Sequence, residues 1–570
     1  MAPQPKPLMT REHIARIEVG HTRMTRPMAW ALTLAMLATI AAVPLLQHVD
    51  HFRAYRAGLR DSVWPQAYDI FKAVPVAISA GLESKRSLPG RILDGNNVLR
   101  EAIHDYTATL EGVSVAAGAV RPYTQYVLTA WLGVGTDEVY IGRDGWLFYR
   151  PTIEYLTDPG FLEPRQLAHR AAGRPGEPAI QPDPRPAIFE FNRQLAERGI
   201  RLIVFPAPAK PMIYPEKFTA TFDGRPGVPQ NPSFDRFKRE LEGEGILVFD
   251  PSEALAAAKT SGPRYLATDT HWRPEAVEQV AQRLGDFIEQ NVRLPPVPPA
   301  GYRSETLDVT NLGDVARMLR LPPGLEVFPA ETVTAHPIVT RRGQWWRPRR
   351  SADVLILGDS FANVFSLRPM NWGESAGLVE QLSYRLQRPL DAILRNGSGA
   401  WGPRETLSHE LARGDDRLAG KRVVVWEFAV RELSEGDWRF ADMTLGERPA
   451  REFFVPVPGS EVIVTGEIRG LSEIPRPGMA PYRYHIMAIH LTDVRTVRDD
   501  KPAGDAVVYI WSMQANVLTA AARFRVGQTV TLRLKPWSDV SQMYEAINRS
   551  ELEDETLHLE EPCWGEVVNP

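Results

Sequence analysis

Two short stretches carry the residue types of acyl-transfer chemistry. "ATDTHW" sets Asp269 and His271 one residue apart, and "LILGDSF" sets Ser360 about ninety residues later. A serine hydroxyl is a weak nucleophile until a base takes its proton. An imidazole does this best when a carboxylate accepts its other N–H and fixes the tautomer. The Asp-x-His spacing puts both side chains on the same side of an extended segment. Ser360 follows an apolar run, Val354 to Leu357, that reads as a strand ending at Gly358. At the carboxyl end of a parallel strand its hydroxyl is exposed and its backbone N–H can face a reacting carbonyl oxygen. Either motif alone is equally a plain turn or a surface loop. Together they supply a nucleophile, a base and the base's orienter.

Those residues must be positioned by a fold, and the chain is long enough for more than one. It has 570 residues, 44% hydrophobic and 24% charged, with a net charge of −4. That composition is globular and exceeds one ordinary core. It carries no overall basic bias, so bulk charge gives a nucleic-acid role no support. The single cysteine, Cys563, excludes an intrachain disulfide and a cysteine metal cage. We expect neither cofactor nor metal.

Residues 28–46, "MAWALTLAMLATIAAVPLL", form an uncharged run long enough as a helix to cross a bilayer. The basic residues before it place a tail, residues 1–27, in the cytoplasm and the rest of the chain on the periplasmic side of the inner membrane. A cleaved signal peptide or a buried core helix are the other readings. Residues 47–135 read as a helical stalk or cap. "VYIGRDGWLFYR" reads as a hairpin turning at Asp144-Gly145.

From there, amphipathic helices alternate with short apolar strands ("RLIVFPAP", "ILVFD", "DVLILGDS", "LDAILRNG", "RVVVWEFA"), which implies a doubly wound α/β domain with a parallel sheet over residues 136–446. Residues 455–570 are β-rich with Gly, Pro and Asp turns, the pattern of a small β-barrel or sandwich, an OB-like barrel being one form.

"GDSF" after an apolar strand, the earlier "TDTHW", "VFPAPAKPMIYPEKF" and "IGRDGWLFY" resemble the SGNH/GDSL hydrolase superfamily, specifically its periplasmic alginate O-acetyltransferase branch, over roughly residues 136 to 445. The resemblance implies Ser360 as nucleophile, His271 as base and Asp269 as orienter. In that branch the Asp-x-His element precedes the serine, as it does here, and the DxxH element that ordinary esterases carry after the serine is absent. The superfamily also uses a glycine and an asparagine as oxyanion donors, and "RNGSGA" offers Asn396 and Gly397.

The implied reaction passes an acetyl group to Ser360 and then to a hydroxyl of an exported polysaccharide. The exported side lacks acetyl-CoA, and the resemblance implies a membrane-bound O-acyltransferase as the relay. "TRRGQWWRPRRS" brings Trp345, Trp346 and Arg347, whose rings and guanidinium suit an acidic glycan. The alternative is a solvated loop whose tryptophans pack on the domain. Lys210 and Arg431 are further candidates for lining the cleft, or else a loop support and a structural ion pair. An acetylesterase of the same fold and a non-catalytic glycan-binding scaffold are the rival functions; nucleic acid is not an expected partner.

Overall fold

The computed structural model describes residues 25–56, 70–83, 87–173, 179–222, 227–447, 453–475, 477, 480, 482–498 and 501–568. The expected cytoplasmic tail lies almost wholly outside them. The chain divides into two compact units, residues 1–121 and 122–570. The first holds the helices Arg26–Arg56, Ile70–Glu83 and Leu88–Val113. The expected span, residues 28–46, sits inside the first of these, which contains Pro44. Among the described residues no helix is long and apolar enough to cross a membrane. The side chains of Thr39, Ile40 and Val43, within that span, fall outside the description.

The second unit begins within the helix Val115–Leu132 and then holds the expected hairpin. Val139–Ile141 pairs antiparallel with Leu147–Tyr149, and Asp144 (φ 55°) and Gly145 (φ 78°) supply the left-handed residues of the turn. The sheet that follows is built from β1 (Arg201–Ala207), β2 (Leu247–Val248), β3 (Val354–Gly358), β4 (Asp391–Leu394) and β5 (Val423–Ala429). Its order is β4-β3-β5-β1-β2 and every pair is parallel.

Residues in β3 and β5 are buried at every position. This is why these strands read as unbroken apolar runs rather than alternating ones. Helices Pro184–Glu197, Pro274–Asn291, Leu378–Leu386 and Trp401–Ala412 share one core with the sheet. Between Pro274–Asn291 and β3 lies an insertion of small hairpins, Leu307–Asn311 with Glu331–Ala335 and Arg303–Ser304 with Ile338–Val339, plus the short helix Asp314–Met318.

The C-terminal region is a closed barrel. Its strands are β6 (Val462–Leu471), β7 (His485–Thr496), β8 (Pro502–Gln514), β9 (Thr529–Pro536) and β10 (Cys563–Val567). β6 pairs with β7 and β9, β7 with β8, and β10 with β9, all antiparallel. β8 and β10 pair in parallel and close the ring. That circular order, first-second-third-fifth-fourth, is that of an OB-like barrel and settles the barrel-or-sandwich expectation. The barrel lies in the same compact unit as the α/β sheet and meets it through side chains. Asn548 Nδ2 donates to the Asn396 carbonyl at 3.3 Å, and Arg395 pairs with Glu545 at 3.6 Å.

Candidate active site

All the chemistry gathers where parallel strands end. β1 runs into Lys210, β3 into Ser360, β4 into Asn396 and Gly397, and β5 into Arg431. A crevice at the carboxyl edge is what this sheet type offers to ligands.

His271, the expected base, sits on a loop pinned at both ends by the bridge between Tyr265 and Trp272. The segment is bent rather than extended as the spacing suggests, because the Asp269 side chain accepts from the His271 backbone N–H at 3.0 Å and closes a local turn. The same Oδ1 lies 2.6 Å from His271 Nδ1. Asp269 Oδ2 accepts from Trp372 Nε1 at 2.9 Å and from the Asp314 N–H at 3.0 Å. This carboxylate is therefore saturated and fixed. Burial opposes its charge, yet the His271 contact and the two further donors outweigh that and hold its pKa below the usual carboxylate range.

Burial likewise opposes the imidazolium. The hydrogen bond and charge of Asp269, with the charges of Asp314 and Asp359, outweigh it and leave the His271 pKa above its ordinary value. With Nδ1 engaged, Nε2 remains, and among the described residues it has no hydrogen-bond partner.

Asp314 is a second carboxylate on the base, its Oδ2 3.7 Å from His271 Nδ1 and its Oδ1 accepting from the Thr270 N–H at 2.7 Å. Burial and the charge of Asp269 push its pKa up. It opens the helix Asp314–Met318, which approaches so closely that a Cβ on Gly313 would lie 2.1 Å from the Thr268 carbonyl oxygen. Only glycine fits there. Asp269, His271 and Asp314 also bring three ligand-type atoms within 4.8 Å of one another. The Asp269 and His271 atoms of this group already bond to each other.

The nucleophile segment is held as tightly. Asp359 caps the turn after β3 by accepting from the Phe361 N–H at 2.8 Å and, through its other oxygen, from the Ala429 N–H at 2.8 Å. Beneath it, the fully buried Glu427 accepts from the Asp359 N–H at 3.0 Å. Burial, then the Asp359 charge, raise the Glu427 pKa well above its ordinary value. Trp272 joins the two loops: its Nε1 donates to the Phe361 carbonyl at 3.0 Å, and its ring meets the Phe361 ring edge-on at 5.2 Å.

Ser360, half-buried, and His271 line one cavity of about 210 Å³. The unpartnered Nε2 means that the two do not hydrogen-bond in this state, as is common before substrate binds. Asn396 and Gly397 line the same cavity. The Asn396 Oδ1 is taken by Asn363 Nδ2 at 2.8 Å, while its own Nδ2 has only the Met370 sulfur at 3.2 Å. An amide donor resting on a thioether is free to turn to an oxyanion.

The remaining expected residues divide. Lys210 is 2% exposed and lies under the base loop, where Nζ donates to the carbonyls of Leu266 (3.0 Å), Ala267 (3.0 Å) and Asp269 (2.6 Å). Burial pulls its pKa down to about 8. It supports the loop and does not line the cavity. Arg431 does line it, and also pairs with Glu435 at 2.8 Å.

The tryptophan-arginine patch lies elsewhere. Trp346 is 3% exposed and donates to Ser383 in the core, Trp345 is 41% exposed, and Arg347 pairs with Glu374 at 3.1 Å. None of the three borders the cavity, because the strand pairing around Val339 turns that segment away from the sheet's carboxyl edge. Asp314, Arg317, Trp372 and the barrel residues Tyr482, Arg483 and Asn548 do border it and were not anticipated. The one signal for Asp314 was an acidic residue opening a short helix after a glycine.

Comparison with known proteins agrees with this geometry. A probable alginate O-acetylase AlgJ of Pseudomonas aeruginosa is 28% identical over 309 residues, 52% of this chain and 71% of that protein. The Azotobacter vinelandii protein of the same name is 25% identical over 371 residues, 62% and 83%. Two solved structures are similar to the chain. The O-acetyltransferase domain of Pseudomonas putida AlgJ gives a TM-score of 0.39 at 21% identity, covering 52% of this chain and 92% of that one. Pseudomonas aeruginosa AlgX gives 0.38 at 16%, covering 70% and 90%. At those scores the superpositions carry no argument of their own. The family described as SGNH hydrolase-like domain, acetyltransferase AlgX, matches residues 139–430, more than half of the chain and the stretch that holds the base, the nucleophile turn and Asn396; to that family this protein belongs.

Proposed function

We propose that this protein is an O-acetyltransferase that carries an acetyl group on Ser360 and delivers it to a hydroxyl of an exported polysaccharide. The observation that carries the reading is the fixed Asp269–His271 pair, its Nε2 without a hydrogen-bond partner among the described residues, on the same cavity that Ser360 lines. The names of the relatives, alginate O-acetylases, support an acidic exopolysaccharide as acceptor.

In the first step His271 Nε2 takes the proton of Ser360 Oγ while Oγ bonds to the acetyl carbonyl carbon. Asn396 Nδ2 and neighbouring backbone N–H groups stabilise the oxyanion. Collapse breaks the bond to the donor's leaving atom, which takes the proton from His271. In the second step the acceptor hydroxyl gives its proton to Nε2 and attacks the acetyl-serine, and Oγ leaves with that proton. Hydrolysis differs only in that water is the attacking hydroxyl.

The first helix supports a membrane anchor on its exposed Trp30, Leu32, Leu34, Met36 and Leu37. On this reading the active domain is periplasmic and a membrane-bound O-acyltransferase supplies the acetyl group. The test is the purified protein with an acetyl donor and a polysaccharide fragment, followed by mass spectrometry. Acetylated glycan and an acetyl adduct on Ser360 are expected, and Ser360→Ala abolishes both. Glycan acetylation that survives Ser360→Ala overturns the proposal; hydrolysis without transfer makes the protein an esterase.

A further inference from the structure

The α/β domain does not enclose the cavity alone. The connection from β6 to β7 brings Tyr482, Arg483 and Tyr484 to its wall, and the connection from β9 to β10 brings Ile547 and Asn548. In OB-type barrels these are the connections that hold oligosaccharides and oligonucleotides. The family match ends at residue 430, so it assigns nothing to them.

Residues 482–484 of the first connection are braced. The Tyr482 ring stacks on His485 with centroids 5.8 Å apart, Tyr484 meets Trp511 edge-on at 6.1 Å, and the Arg483 carbonyl accepts from the Asn516 N–H at 2.9 Å. Arg317, from the helix that also delivers Asp314, reaches the same cavity with its guanidinium donating to the Asn311 side chain.

Charge bookkeeping around the cavity separates its arginines. Arg431 has Glu435 at 2.8 Å. Arg317 and Arg483 make no ion pair among the described residues, and each is half-buried. Burial disfavours the Arg317 charge, the carboxylates of Asp269 and Asp314 favour it, and the charge of Arg483 adds a smaller opposition. Two like charges held at one cavity by two different domains are an arrangement that a ligand anion relieves. The planar guanidinium fork matches a carboxylate in particular.

We propose that the acceptor site is shared between the domains, with Arg483 of the barrel and Arg317 of the insertion together holding a carboxylate on the acceptor sugar beside Ser360. This rests on the transferase reading for the word acceptor. The site itself is read by binding alone.

The experiment uses full-length protein carrying Ser360→Ala, titrated with a uronate oligosaccharide and with its carboxyl-reduced counterpart. The uronate is expected to bind tighter by about tenfold or more, the scale set by leaving a buried polar group unpaired. Arg483→Gln, which keeps much of the side-chain packing, is expected to erase that preference, as is Arg317→Gln, and Arg483→Lys restores part of it. Equal binding of the two oligosaccharides, or a preference that persists in both glutamine variants, overturns the shared site. Absence of glycan acetylation by the unmutated protein, together with an intact preference, removes the transferase reading and leaves the carboxylate site standing.

Discussion

The two walls of the cavity treat charge differently. On the α/β wall, Asp269 contacts His271 Nδ1, Trp372 and the Asp314 N–H, Asp359 contacts two backbone N–H groups, and Arg431 contacts Glu435. On the wall built by the insertion and the barrel, Arg317 and Arg483 face the same space without an ion pair among the described residues. A group that must hold one geometry through a reaction is preorganised by satisfied partners. A group meant for a ligand keeps its partner vacant. The contrast separates residues expected to govern rate from those expected to govern which molecule is accepted.

The largest effect should come from the most saturated group. Asp269→Asn is expected to lower kcat about 10³- to 10⁴-fold, because the imidazole loses its tautomer control while the surrounding bonds keep the loop in place. A melting temperature near wild type, measured alongside, separates this from unfolding. Trp272→Ala tests whether the base loop and the nucleophile turn are one rigid piece. It is expected to cost about 3–5 kcal/mol in denaturant unfolding, since a fully buried indole and its bond to Phe361 are lost.

Lys210→Met removes the three-carbonyl support beneath the base without touching the cavity. It is expected to lower kcat about 10²-fold, the cost of a small displacement of a reacting group, and an unchanged kcat would show that the loop holds itself.

A smaller effect is expected at Asp314. His271 acts as base only when neutral, and its pKa stands above 6.5, so activity should fall as pH drops through that raised value. Asp314→Asn withdraws a negative charge, disfavours the imidazolium, and should move the acid limb of kcat/KM to lower pH by about half a unit to one unit. A pH profile with an unmoved limb would assign Asp314 to loop structure alone. The smallest effect belongs to Trp345→Ala, far from the cavity lining, with stability expected within about 0.5 kcal/mol and acceptor KM unchanged.

Much of the α/β wall was legible in the chain. β3 and β5 are apolar without interruption, so their burial on both faces is written in "VLILG" and "VVVWEFA", and the position of Ser360 follows from where the first run stops. The Asp-x-His pair was legible as chemistry, though not as a turn, because the bond from Asp269 to the His271 N–H is a local choice that spacing leaves open.

Asp314 and Arg317 were hidden for a different reason. Their helix is five residues long, and its placement depends on Gly313 nesting against Thr268, a contact between segments about 45 residues apart. The tryptophan-arginine stretch fits the reading of a surface loop with a tryptophan packed on the domain, Trp346 being buried and Trp345 exposed, because composition says what a side chain could bind and nothing about which edge of the sheet it lies on. Arg483 and Asn548 were beyond reach, since only the docking of the barrel brings them to the sheet's carboxyl edge.

The position of β5 has a consequence for how the molecule is made. It lies between β1, which leads into the support of the base, and β3, which carries the nucleophile, although it is the last of the five to leave the ribosome. Neither half of the sheet can find its register against the other until residue 429 is available, so the segments that carry Ser360 and His271 are not joined through the sheet before then. Such long-range parallel pairing folds slowly, so this edge of the sheet is assembled late in folding.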